Sequence, residues 1–200
     1  MSGPEPVSGS PVGGVPVEGS PVAGDTGIVV LVPAAEAAVG PHRPGLDPWA
    51  ALGVPAHVTL LAPFLPPVLI DDGVAARIER AVAGFAAFDF RLATVRWFGD
   101  QVVWLAPDPA DPFVALTAAL VEEFPHHRPY GGAFDEVQPH LTVGAHRPVQ
   151  ELRAAAEVVA PWLPISCRAA AVTVIGRIGD EPYRSCTRSL CADLAQPTSG

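Results

Sequence analysis

Two short stretches decide the reading of this chain: VPAHVTLLAPF at residues 54–64 and VQPHLTVGAH at residues 137–146. Each sets a histidine and a threonine two positions apart with aliphatic residues between and after them, as His57-Val58-Thr59-Leu60 and His140-Leu141-Thr142-Val143. Side chains alternate across an extended chain, so His57 and Thr59 share one face while Val58 and Leu60 share the other. His140 and Thr142 divide from Leu141 and Val143 in the same way. Each stretch is therefore expected to be a strand that buries its aliphatic side and presents an imidazole beside a hydroxyl.

Working outward, GIVVLV at 27–32 reads as a strand ended by Pro33, and 34–39 as a short helix. A Pro-rich connection leads to the first motif strand, expected over 56–62. Helical spacing of Val74, Ile78, Ala81, Val82 and Phe85 predicts a helix over 70–85. Phe88, Phe90 and Leu92 alternate with Asp89 and Arg91, which predicts a strand over 88–98. After the turn signal Gly99-Asp100 comes its hairpin partner, QVVWLAP. Phe113, Leu116, Leu120 and Phe124 form the inner stripe of a helix over 111–124. The turn-rich loop HHRPYGGAFDEVQ precedes the second motif strand. A helix over 149–162 and two strands, 165–178 and 183–194, complete the pattern.

The motif strands lie about 80 residues apart, each followed by a helix and then a pair of strands. That order predicts two duplicated, pseudo-symmetric lobes of mainly antiparallel sheet with outer helices, an α+β fold. The folded unit is expected over 26–195. Residues 1–25, rich in Gly, Pro, Ser and Val with GSPV occurring twice, are too poor in large apolar residues to build a core and read as a disordered tail. Residues 196–200 read as a second tail.

The chain has 200 residues, 49% of them hydrophobic, and a formal net charge of −9. Its basic residues are all arginines, and they form no run. This balance argues against an extended nucleic-acid surface, which needs a basic face. It leaves room for a small nucleotide or one RNA end. No apolar stretch reaches the length of a membrane span, and no basic start precedes an apolar run, so a cytoplasmic protein without membrane contact is expected. Cys167, Cys186 and Cys191 form no CxxC pair; reduced thiols are expected, with a Cys167–Cys186 bridge as the alternative.

Two imidazoles and two hydroxyls on facing strands suit phosphodiester cleavage. One imidazole can take a proton from water while the other returns one to the departing oxygen, because the ordinary imidazole pKa lies near neutrality. Threonine hydroxyls can donate to the non-bridging oxygens, where the transition state gathers charge. Nothing in this set requires a metal or another cofactor. His126, His127 and His146 lie near His140 in sequence, but no carboxylate or cysteine pattern completes a zinc site.

On VPAHVTLLAPFLPP and DEVQPHLTVGAHR, with support from the strand ending at Pro33 and from PYGGAFDE, the chain resembles the two-histidine phosphoesterase superfamily, within it the 2′-5′ RNA ligase-like, cyclic phosphodiesterase group. The resemblance spans about residues 27–180. It implies a bilobal fold with the motifs facing across a cleft, with His57, Thr59, His140 and Thr142 as catalytic residues. It implies hydrolysis of 2′,3′-cyclic phosphates of nucleotides or RNA ends without a cofactor. RNA 2′-5′ ligation and a non-catalytic nucleotide-binding module of the same fold are the alternatives. By the same resemblance His140 is the base that activates water and His57 the acid.

Four further residues are candidates for substrate binding. Tyr130, in the loop before the second motif, can stack on a base. Phe64, after the first motif, can line the cleft or, the stronger reading, belong to the core. Arg128 and Arg147, on either side of the second motif, can meet phosphate. Trp97 and Trp104 read as core, His126 and His127 as solvated, and His42 sits alone in a Pro-rich loop. A monomer is expected.

Overall fold

The computed structural model describes residues 26–132 and 136–178, and a last strand at 181–189. The expected tails at 1–25 and 196–200, the domain limit at 195 and Cys191 lie outside the described residues, as do Ala133, Phe134 and Asp135 of the PYGGAFDE segment.

The first strand, β1 (Thr26–Leu31), enters a 3-10 turn at Pro33–Ala35 and then α1 (Glu36–Val39). The connection read as an irregular Pro-rich loop folds instead into two single-turn helices, α2 (Arg43–Leu46) and α3 (Pro48–Ala51), each with a proline in its first turn. A proline there has no amide hydrogen to waste, so it starts a helix rather than breaking one. Then come β2 (His57–Leu61), α4 (Asp72–Val82), β3 (Phe88–Phe98), β4 (Val102–Asp108), α5 (Asp111–Glu123), β5 (Leu141–Ala145), α6 (Val149–Val159), β6 (Ile165–Ala169), β7 (Ala171–Ile178) and β8 (Glu181–Ser189).

The strands form two antiparallel four-stranded sheets, ordered β2-β1-β7-β8 and β5-β4-β3-β6. The expected α+β architecture with two lobes is thus present, but its lobes are not successive halves of the chain. The hairpin β3–β4 follows the first motif in sequence yet joins the sheet of the second. The stretch 165–178, read as one strand, breaks at Ala170: β6 stays in the second motif's sheet and β7 crosses to the first. Each lobe is therefore completed by strands from the other half. This exchange places both motif strands at sheet edges, where β2 and β5 come together.

One apolar core runs between the sheets and the helices. Phe113, Leu116 and Leu120 of α5 are fully buried in it, with Phe90 and Leu92 of β3 and Leu60 of β2. Phe88, Phe90 and Phe113 pack against one another, with centroids 4.9–6.2 Å apart, and Phe113 meets the other two edge to face, a geometry aromatic rings favour. Gly144 in β5 has no side chain because there is no room for one. A Cβ there would stand 2.8 Å from Leu152 of α6 and 3.0 Å from Leu46 of α2. The short helix α2 is thereby seated directly on the second motif strand.

Candidate active site

In β2 the alternation is as expected. Val58 and Leu60 are buried and His57 and Thr59 half-buried on the opposite side. The second motif lies deeper: His140, immediately before β5, is 4% exposed and Thr142 7%. His57 and His140 are near enough for the charge of one to act on the other.

The two imidazoles are held alike. His57 Nδ1 lies 2.7 Å from the carbonyl oxygen of Pro55, and His140 Nδ1 lies 2.8 Å from that of Gln138. A carbonyl only accepts, so each Nδ1 carries the hydrogen and donates it. The neutral ring then keeps its lone pair on Nε2, the nitrogen directed away from the backbone contact. Both holding carbonyls sit two residues before their histidine, so the repeat extends from motif to tautomer. The motif prolines, Pro55 and Pro139, differ in register and contribute differently: Pro55 supplies its own carbonyl, whereas Pro139 follows the one that is used.

Aromatic rings surround His140. Phe98 stands edge-on at 5.1 Å, Trp104 at 5.7 Å, and Tyr130 is stacked at 6.1 Å with an interplanar angle of 18°. Phe98 and Trp104 stack on each other at 4.8 Å. Trp104, read from sequence as core, is indeed buried, but it also walls the second imidazole; it reaches this place because β4 pairs Trp104 with Thr142. Tyr130 adopts a left-handed backbone at φ 54°, a conformation that costs a non-glycine residue on the order of 1 kcal/mol. Its amide donates to the Ala62 carbonyl at 2.7 Å, which docks the loop on the end of β2.

The remaining candidates separate. Arg128 is exposed and lines, with Tyr130, Thr117 and Val121, a groove of about 770 Å³ beside α5. Phe64 does not line the cleft. It is 6% exposed and packs edge-on against Phe124 at 5.0 Å and His127 at 5.3 Å. Arg147 lies beyond the far end of β5, roughly 20 Å along the strand from His140 at the usual rise per residue. It pairs with Glu151 at 3.2 Å on the surface. His146, just past β5, adopts a left-handed backbone at φ 54° and is exposed. Among the described residues no three His, Cys, Asp or Glu side chains converge as a metal site. Cys167 is a free, buried thiol on β6, in a different sheet from β8, which carries Cys186.

Sequence reading missed a buried ion pair under the first motif. Arg43 Nη2 donates to Asp47 Oδ2 at 2.5 Å, both side chains only 2% exposed. An RxxxD spacing in a Pro-rich stretch was the only signal.

Burial lowers the proton affinity of both histidines. His57 falls from 6.5 to about 4, through burial first and then the positive charge of Arg43. The Pro55 carbonyl and Asp47 oppose this, and His140 adds a small push downward. The sign for stability follows. Between about pH 6.5 and 4 the unfolded chain binds a proton that folded His57 refuses, and His140 acts in the same direction, so stability is full above that window and falls as pH drops through it. For His57 the loss is on the order of 3 kcal/mol at most. We expect the urea midpoint to fall from pH 7 to pH 4.5, and the fall to be shallower in the His57→Gln/His140→Gln variant. Equal slopes in the two proteins would remove the histidines from the account.

The comparisons with known proteins agree with this fold. The chain aligns with the crystal structure of Escherichia coli LigT complexed with 3′-AMP, at 16% identity, TM-score 0.55, covering 84% of this chain and 99% of that one. It aligns equally with TT0787 of Thermus thermophilus, at 16% identity, TM-score 0.57 and the same coverage, and with E. coli LigT complexed with NADP+, at 16% identity, TM-score 0.51 and the same coverage. At this identity the likeness is one of fold. No curated protein sequence matches the chain. The sequence model of one family matches residues 31–181, three quarters of the chain and both motifs: this protein belongs to the 2′-5′ RNA ligase superfamily.

Proposed function

We propose that the protein is a metal-independent phosphodiesterase that opens 2′,3′-cyclic phosphates of nucleotides or RNA ends. One observation carries the reading: two imidazoles, each with Nδ1–H tied to a carbonyl two residues back and each with a threonine two residues on, stand at the meeting edges of two sheets. The small nucleotides held by LigT, 3′-AMP and NADP+, support a substrate of that size.

In this reaction a water oxygen attacks phosphorus and one ring P–O bond breaks. A base at Nε2 takes the water proton, and an acid at the other Nε2 gives a proton to the departing ribose oxygen. Thr59 and Thr142 donate to the non-bridging oxygens. Burial disfavours the charged form of both rings, and at His57 the fixed positive charge of Arg43 adds to this, so we take His57 as the neutral base. His140 then serves as the acid, and its proton is retained once the phosphate anion sits beside it. This is the reverse of the assignment implied by the family resemblance.

Purified full-length protein should convert 2′,3′-cyclic mononucleotides, or short oligonucleotides ending in the cyclic phosphate, to a monoester seen by phosphorus NMR. EDTA should leave the rate unchanged, because acid, base and oxyanion donors are all side chains. Loss of activity in EDTA that a divalent ion restores would overturn the mechanism, and failure on every cyclic phosphate would overturn the substrate class.

A further inference from the structure

The buried Arg43–Asp47 pair has no part in the chemistry just described, yet it underlies the segment that leads to His57. Two charges are out of water here, a costly arrangement that hydrophobic residues of like size would often match in stability. Its connections run in one direction. Asp47 Oδ1 caps α3 by accepting from the Trp49 amide at 2.9 Å. Arg43 Nη1 points to the Val54 carbonyl at 3.5 Å. The next residue is Pro55, whose carbonyl takes the His57 Nδ1 hydrogen. Glu36 Oε1 accepts from the Ala56 amide at 2.5 Å and fixes the same stretch from α1. On the other side, Leu46 of α2 rests on Gly144 of β5. The pair thus sits in a cap clamped between the two motif strands, with the Arg43 Nε hydrogen buried and unpartnered.

We propose that Arg43, with Asp47, is a positioning residue for His57, holding the 43–55 cap so that the Pro55 carbonyl fixes the imidazole with Nε2 bare, and placing a fixed cation beside the ring. Among the described residues the charged or titratable groups acting on His57 are Arg43 in α2, Asp47 between α2 and α3, and His140 before β5. Arg43 outweighs Asp47, so the net field of the pair disfavours imidazolium. Mechanistically the proposal rests on the phosphodiesterase reading, but its primary readout does not.

The experiment is a pH titration of the His57 ring by nitrogen–proton NMR in the full chain, with His140→Gln as assignment control. In Arg43→Gln/Asp47→Asn the two new amides can still bond to each other, and the one at position 47 can still cap α3, so both charges leave with little change of shape. The His57 midpoint should rise by about one pH unit, and the ring should lose its single Nδ1–H form. Asp47→Asn alone, which leaves Arg43 uncompensated, should move the midpoint down. Arg147→Gln, a surface charge removal, should leave it in place. On a cyclic nucleotide the double variant should lose roughly tenfold in kcat with KM nearly kept. A folded double variant whose His57 midpoint and tautomer are unchanged overturns the proposal. If that variant does not fold, a downward move in Asp47→Asn supports the proposal and an unmoved midpoint overturns it. Absence of turnover in the wild-type protein would instead count against the phosphodiesterase reading while the NMR result stands by itself.

Discussion

Replacing either imidazole with alanine is expected to lower turnover of a 2′,3′-cyclic nucleotide by about 10²–10⁴-fold, the usual worth of a positioned acid or base. The substrate then decides which is which. The leaving group of a p-nitrophenyl phosphodiester departs without needing a proton, so loss of the acid costs it little while loss of the base stays severe. With His57 as base, His140→Ala should recover on that substrate and His57→Ala should not. The opposite pattern would restore the roles implied by the resemblance. If neither substitution slows any phosphodiester that the wild type cleaves, the two-histidine mechanism fails. The kcat/KM profile against pH should be bell-shaped, and its limbs belong to the interacting pair and not to single residues. Variants must be compared at neutral pH. There the wild type keeps the full stability that the lowered histidines withdraw under acid, so a loss of rate is not mistaken for unfolding.

Much of this site was legible because strand alternation is a local rule. His57 and Thr59 emerge on one side of β2, and Val58 and Leu60 on the other, from spacing alone. The inner stripe of α5 followed from helical period, and Phe113, Leu116 and Leu120 are all fully buried. What spacing does not encode is which strand lies next to which. The break at Ala170 has no Gly or Pro to announce it, since CRAAAVTV reads as an unbroken strand. The change of sheet there is set by packing between parts of the chain far apart in sequence. Without it the hairpin β3–β4 cannot be assigned to the second motif, and Trp104 cannot be seen to face the neighbourhood of His140. The Arg43–Asp47 pair was hidden for a different reason. Helices of one turn show no period, so a stretch with prolines at 41, 44 and 48 reads as a loop, and two charges in a loop read as solvated. Phe64 shows that nearness in sequence to a motif is not nearness to its active face. Past the strand end the chain turns, and the Phe64 amide bonds to the Thr26 carbonyl at 2.9 Å, which leaves the ring directed into the core.

The threonines provide the second large effect, and burial predicts that they are unequal. Thr142 is 7% exposed and is paired in register with buried Trp104, while Thr59 is half-buried opposite Val29. A hydroxyl aimed at growing charge is worth more where water competes less. Alanine would leave a void at Thr142, so valine is the better probe: it keeps the branched shape and removes only the donor. Thr59→Val and Thr142→Val should each lower kcat by about 30–1000-fold, equivalent to roughly 2–4 kcal/mol of transition-state stabilisation. KM should change by less than about threefold, because a donor that acts mainly in the transition state contributes little to ground-state binding. Serine, which restores the hydroxyl on a smaller side chain, should return most of the rate at both positions. Thr142→Val should be the more damaging of the two. Retained kcat with a raised KM would mean that the hydroxyls only hold the substrate, and the negative charge of the transition state would then have to be met by the protonated imidazole of His140.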